Sequence, residues 1–208
     1  RCKAQLQFHD AKFNGIPLAR PEFESVAAFG PRCGLGHLET VVYLDNLCSW
    51  FGLDSISTGA VIAFAMELYQ RGILTTHDTG GLQIRWGDRE VMETLIRQMA
   101  YVEGLGAVLS QGVRRAAQVI GKGAEQFALH VKGLELSAYH PREIMGTALG
   151  YAVVSRGGDF SPAARRLQRG NPVCDRRSGD PGSARREPFL HDSRRKSMEK
   201  IDFGGALG

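Results

Sequence analysis

The chain is 208 residues long and 43% apolar, with 26 Lys and Arg against 22 Asp and Glu and a formal net charge of +4. This length allows one large domain or two small ones, and the apolar share is enough for a packed core. No stretch approaches the ~18 uninterrupted apolar residues of a membrane helix. The cysteines Cys2, Cys33, Cys48 and Cys174 are scattered with no CxxC pair. That excludes a zinc ribbon or a dithiol redox motif and fits a reducing cytoplasm better than a disulfide scaffold.

The chain opens Arg1-Cys2-Lys3, with neither Met nor an apolar signal-peptide core, as a fragment would. Residues 1–33 read as packed but irregular, because Gly15, Pro17, Pro21, Gly30 and Pro31 interrupt any long helix. A one-faced helix is expected over residues 36–51, where Leu38, Val41, Leu44, Leu47, Cys48 and Phe51 recur at spacings of three and four. Gly52 ends it at a left-handed position. A second helix opens among Ser55, Ser57 and Thr58 and stops at Gly72. Its first two turns are apolar all round, the mark of a central helix.

Leu82, Ile84 and Trp86 alternate with Gln83 and Arg85, so a short strand is expected there. Asp88 then caps a helix over residues 89–103 that ends at Gly104. A further helix is expected over 105–120, a short helical piece over 124–129, an extended segment over 131–136 and a compact apolar segment over 146–154.

After Asp159 the apolar periodicity is lost. Arg165, Arg166, Arg169, Arg176, Arg177, Arg185, Arg186, Arg194 and Arg195 crowd into a segment otherwise rich in Pro, Ser and Gly. Residues 1–160 are therefore expected to form the folded region. Residues 161–208 read as an Arg-rich terminal segment, solvated and poorly ordered. The fold class is mainly α, with one or two short strands.

Two acids stand out. Asp54, after Gly52 and Leu53, sits at the start of the central helix, where a carboxylate caps backbone N–H groups and meets the positive end of the dipole. Glu24 lies in Pro21-Glu22-Phe23-Glu24-Ser25. If buried beside aromatics its pKa would rise, as a general acid or base at neutral pH requires. If exposed it is an ordinary loop acid. Arg156, before Gly157 and Gly158, would suit an anion or an ordinary solvated turn.

Ser49-Trp50-Phe51-Gly52-Leu53-Asp54 resembles the D-x-x-G-L-D pterin-binding element of the tungsten-containing aldehyde ferredoxin oxidoreductase family, with Ser49 in place of the leading Asp. Other quoted residues resemble the same family in order. They are Cys2-Lys3, Pro21 to Ser25, Gly30 and Cys33, Asp78-Thr79-Gly80-Gly81-Leu82, Trp86-Gly87, Gly104 with Gly106, His130 to Leu136, and Arg156 to Asp159. The resemblance implies an irregular helical domain from the middle of a larger enzyme. Ser49, Leu53, Asp54 and Arg156 would contact one of two pterins that hold tungsten or molybdenum. Cys2 would be one thiolate of a [4Fe–4S] cluster, and Glu24 the acid that moves protons during aldehyde oxidation.

The implied partners are ferredoxin as electron acceptor and a small aldehyde or related oxo compound as substrate, with a homo-oligomer also possible. No membrane partner is expected. The family's His after the closing Asp is Phe160 here, and the second pterin motif is not found, so the chain alone is expected to be inactive. The competing reading is a non-enzymatic helical interaction protein whose basic tail binds nucleic acid or an acidic partner. The tail lacks the interleaved aromatics of a base-stacking groove, which disfavours nucleic acid.

Overall fold

A computed structural model describes residues 5, 6, 8, 18–142 and 145–159. Cys2, Phe160, Cys174 and the Arg-rich segment, with the expectations attached to them, lie outside these residues. The described part is mainly helical, as expected. A two-stranded antiparallel pair, β1 (Gln5–Leu6) and β2 (Leu18–Ala19), precedes three helices: α1 (Phe23–Phe29), α2 (Leu38–Phe51) and α3 (Ser55–Gln70). There follow α4 (Arg89–Tyr101), α5 (Gly104–Leu109), α6 (Val113–Ile120), a 3-10 turn (Ala124–Phe127), a hairpin of β3 (His130–Val131) with β4 (Leu134–Glu135), and α7 (Met145–Val153).

The apolar-all-round helix is central. Along α3, Val61, Ile62, Phe64, Ala65, Met66 and Leu68 are all buried, and with residues of α1, α2, α4, α5 and α6 they form one continuous core. The N-terminal strand pair is fastened to α2 by one buried amide. Asn46 Nδ2 donates to the carbonyls of Ala19 (2.9 Å) and Val42 (2.8 Å), while its Oδ1 accepts the Ala19 N–H at 2.8 Å. Among the described residues, no single helix is long and apolar enough to cross a membrane.

Several local expectations are corrected. Residues 23–29, read as irregular, form α1: Pro21 and Gly30 bracket a window just long enough for two turns. No strand forms over Leu82, Ile84 and Trp86. Ile84 is buried and Trp86 exposed, but among the described residues no neighbouring strand is there to satisfy the backbone. The segment instead lies along the helices, with Trp86 Nε1 donating to Gln70 Oε1 at 2.7 Å and the Gly87 N–H to the Cys33 carbonyl at 2.8 Å.

The helix expected over 105–120 is broken between Leu109 and Val113. Gly112 takes φ +84, and the buried Glu135 reaches from β4 to accept the Val113 N–H at 2.7 Å, capping α6 from a distant segment. The preceding helix is capped by Asp88 as expected, through Glu90 N–H (3.0 Å) and Val91 N–H (3.2 Å). It ends at Val102 rather than Gly104, with Val102 itself left-handed at φ 59. The extended segment is a tight hairpin whose turn residues Lys132 and Gly133 have φ 55 and φ 96, the mirror-image turn that matches strand twist.

Candidate active-site wall

The corner between α2 and α3 has the local structure its residues dictate. Gly52 is left-handed (φ 71, ψ 24), and the Leu53 N–H closes back on the Cys48 carbonyl at 2.8 Å, a Schellman stop. The chain then turns through 114° into α3. Asp54 is extended (φ −72, ψ 119), and its Oδ2 accepts the Ser57 N–H at 2.8 Å. Asp54 is therefore a helix cap, and its other oxygen is left over on an exposed side chain. Ser49 is exposed on the last turn of α2, whereas Leu53 is half-buried against the core. Nothing lies within 4 Å of where a Gly52 side chain would begin, so the corner faces open space.

Glu24 is brought to this corner from a separate segment. Ser25 Oγ and Ser55 Oγ are hydrogen-bonded at 2.8 Å, which places the residues beside Glu24 and Asp54 in direct contact. Helices α1 and α3 then run together: a side chain at Gly59 would meet Ala28 Cβ at 2.7 Å and the Ala28 carbonyl oxygen at 2.8 Å. The Cys33 thiol bridges the same crossing, donating to the carbonyls of Ala28 (3.2 Å) and Gly59 (3.3 Å).

The Glu24 carboxylate is asymmetric. Oε2 accepts the Ala138 N–H at 2.8 Å, whereas Oε1 is buried without a hydrogen-bond partner. Burial pushes its pKa above the usual carboxylate range, against the opposing pull of the Ala138 N–H and the Arg32 charge. Beside it, the Phe23 and Tyr139 rings lie 5.9 Å apart. The buried Tyr151 from α7 shares a 2.6 Å hydrogen bond with Ser137 Oγ and donates to the Tyr139 carbonyl at 3.2 Å. Burial raises the Tyr151 pKa above the ordinary tyrosine value, and the Glu24 charge adds to that rise.

A cleft of about 540 Å³ is bounded by the 136–141 segment and lined by Arg32, Phe64, Trp86, Phe127, Tyr139 and neighbours. Arg32 Nη1 is buried without a hydrogen-bond partner. Arg32 and Tyr151 were not singled out by the sequence. Arg32 stood between the quoted Gly30 and Cys33, and Tyr151 inside a segment read only as apolar.

The sequence model described as aldehyde ferredoxin oxidoreductase, domains 2 and 3, matches residues 1–187. The chain belongs to the aldehyde ferredoxin oxidoreductase family. It is 43% identical over 139 residues to a tungsten-containing aldehyde ferredoxin oxidoreductase of Thermococcus kodakarensis, covering 66% of this chain and 23% of that protein. A protein of Pyrococcus furiosus with the same name is 41% identical over equal shares. A second Pyrococcus furiosus protein, an aliphatic sulfonate oxidoreductase (WOR-like subunit), is 37% identical over 150 residues, or 69% of this chain and 24% of that one. Among solved structures, the fold is similar to the active-site complex BamBC of benzoyl coenzyme A reductase, with a TM-score of 0.55 and 26% identity. That match covers 69% of this chain and 23% of the other. The chain thus spans about 23% of the length of these two curated relatives.

Tungsten-containing members of the aldehyde ferredoxin oxidoreductase family imply a tungsten–pterin cofactor, and the exposed side of the corner fits one. Pterin ring N–H groups seek acceptors. Asp54 has an oxygen beyond its cap bond, and Ser49 offers a hydroxyl. The described thiols do not fit a four-iron cluster. Burial pushes Cys33 and Cys48 up to about 12, so both remain protonated thiols at neutral pH. Among the described residues, no group of three or more His, Cys, Asp or Glu side chains is placed to hold a metal ion.

Arg156 is placed apart from the corner's hydrogen bonds, on the turn after α7. It is exposed and paired with Asp159 at 3.4 Å. The glycines beside it do let backbone come close, but to the hairpin: a side chain at Gly158 would strike the carbonyl oxygens of Leu134 (2.6 Å) and Glu135 (2.7 Å).

Proposed function

We propose that this chain forms one pterin-facing wall, and the proton-accepting side, of a tungsten- (or molybdenum-) dependent oxidoreductase. The substrate is an aldehyde or related oxo compound, and electrons leave through a [4Fe–4S] cluster to ferredoxin. Residues 1–160 carry this wall, and the 208-residue chain alone is inactive. The observation that carries the reading is the carboxylate of Glu24: half-buried, raised in pKa, with one oxygen orphaned beside the Asp54 corner.

Oxidation of an aldehyde to its acid releases protons together with electrons, so a site for it needs a base. When bound, the tungsten–pterin group supplies the acceptor for the electron pair. Glu24 accepts the proton at Oε1, while Oε2 stays fixed to the Ala138 N–H. Ser49 and the outer oxygen of Asp54 orient the pterin edge, and Leu53 backs it from the core. In this reading Cys2 contributes one cluster thiolate and Arg156 steadies an anionic edge of the cofactor. The sulfonate named for one relative indicates that substrates differ within the family.

Metal analysis of the full-length protein, with aldehyde-dependent dye reduction, tests this. Tungsten or molybdenum together with iron, and dye reduction by aldehyde, are expected. A metal-free, inactive full-length protein would overturn the assignment, and dye reduction by the 208-residue chain alone would overturn its incompetence. Asp54 allows a finer test, because its two roles separate. Asp54→Ala is expected to cost about 1 kcal/mol of stability through the lost cap. Asp54→Asn keeps the cap, so its denaturation midpoint stays close to wild type while pterin retention falls. Equal pterin content in wild type and Asp54→Asn would remove Asp54 from the cofactor.

A further inference from the structure

The N–H that steadies Glu24 is itself held from a distance. Ala138 is exposed, and residues 136–142 belong to no helix or strand, so nothing in their local structure fixes the direction of its N–H. Yet that N–H reaches Glu24 Oε2 at 2.8 Å across 114 residues of chain. The residues on either side of Ala138 are tied to one buried hydroxyl, which α7 brings in. Tyr151 Oη donates to the Tyr139 carbonyl at 3.2 Å and lies 2.6 Å from Ser137 Oγ. A phenol carries one hydrogen. With that hydrogen on Tyr139, Ser137 Oγ is the donor in the shorter bond and Tyr151 the acceptor. Both neighbours of Ala138 are thus pinned on the same atom.

We propose that Tyr151 is a positioning residue for Glu24: its hydroxyl fixes the 137–139 segment so that the Ala138 N–H stays on Oε2 and Oε1 is the oxygen left to take a proton. The proposal rests on the role given to Glu24 above and adds to it a residue that acts through the backbone. Two groups face Glu24 from the elements around it: Arg32, on the turn after α1, and Tyr151, on α7. The Arg32 charge and the Ala138 N–H both pull the Glu24 pKa down against burial, while burial keeps Tyr151 a neutral phenol. Loosening Ala138 removes one of those two pulls, so Glu24 holds its proton to higher pH.

The test is Tyr151→Phe in the full-length protein, read in two ways. Infrared difference spectroscopy follows the Glu24 carboxyl through a pH titration, and the acid limb of aldehyde-dependent dye reduction is measured beside it. His140 lies in the same segment and Asp54 at the corner, so both signals are assigned to Glu24 by their absence in Glu24→Gln. Tyr151→Phe is expected to move the carboxyl midpoint and the acid limb up by about 1 pH unit, the scale of one weakened hydrogen bond to a charged group. Turnover on the acid side should fall about 10-fold and recover as pH rises. Ser137→Ala removes one of the two bonds at a half-buried position and should move both signals the same way by less. A uniform loss of turnover at every pH, with the carboxyl midpoint in place, would make Tyr151 merely structural and overturn the inference. Where Tyr151→Phe does not fold, an unmoved midpoint in Ser137→Ala overturns it instead. An acid limb that vanishes in Glu24→Gln but keeps its position in Tyr151→Phe sinks this inference alone. A carboxyl midpoint that moves up in a full-length protein without aldehyde activity supports it and sinks the proposed function alone.

Discussion

Replacing Glu24 by glutamine in the full-length enzyme is expected to lower turnover by about 10²–10⁴-fold, the range that general base catalysis contributes, with pterin and metal content unchanged. Glutamine preserves the volume and retains a carbonyl oxygen for the Ala138 N–H, which Glu24 Oε2 now accepts at 2.8 Å. What it removes is the ability of the orphaned position to take a proton. Cofactor content separates this loss from a collapsed site. Turnover equal to wild type would take Glu24 out of the mechanism and leave it as the anchor of the 136–141 segment.

The pH profile carries the same argument. Burial raises the Glu24 pKa, so the acid limb of activity should lie above the ordinary carboxylate range and disappear in Glu24→Gln. Stability follows the opposite sense. A carboxyl whose folded pKa is raised favours the fold while protonated. That contribution is complete below the unfolded pKa and is lost as pH rises through the folded one. Above that window Glu24→Gln should be no less stable than wild type, and denaturant midpoints measured across it check the sign.

The parts of this site that were legible in the sequence are those fixed by neighbours in the chain. Leu38 to Phe51 announce α2 by spacing, Gly52 announces its stop, and Asp54 announces the start of α3, because each signal acts within one helical turn. The mistakes have non-local causes. Leu82, Ile84 and Trp86 alternate like a strand, but a strand needs a partner that the fold does not bring. The break before α6 depends on Glu135, 22 residues away from Val113. The pairing of Ser25 with Ser55 spans 30 residues, so the adjacency of Glu24 and Asp54 could come only from the family resemblance or from the structure. Tyr151 and Arg32 carry no spacing signal at all. Their roles exist only after α7 and the turn after α1 have packed around the 136–141 segment.

That adjacency rests on Gly59, and Gly59→Ala is expected to destabilise the fold by about 1–3 kcal/mol, the cost of overpacking a close-fitted interior. On an exposed helix the same change would stabilise by about 1 kcal/mol, because alanine is the better helix former. Packing reverses the sign here. The new carbon would lie 2.7 Å from Ala28 Cβ, 2.8 Å from its carbonyl oxygen and 2.9 Å from its carbonyl carbon. None of these is the end of a flexible side chain, so α1 must move off α3. That movement strains the two Cys33 thiol bonds to Ala28 and Gly59 and the Ser25–Ser55 bond that seats Glu24 beside Asp54. Turnover and pterin retention should therefore fall along with the denaturation midpoint, although Gly59 belongs to the core rather than to the cofactor wall. Gly36→Ala is the matched control: nothing lies within 4 Å of its new carbon and its backbone is not left-handed, so a change within about 0.5 kcal/mol is expected. If Gly59→Ala proved as stable as Gly36→Ala, the α1–α3 contact would be looser than its distances imply, and Glu24 would need another support to hold its place at the corner.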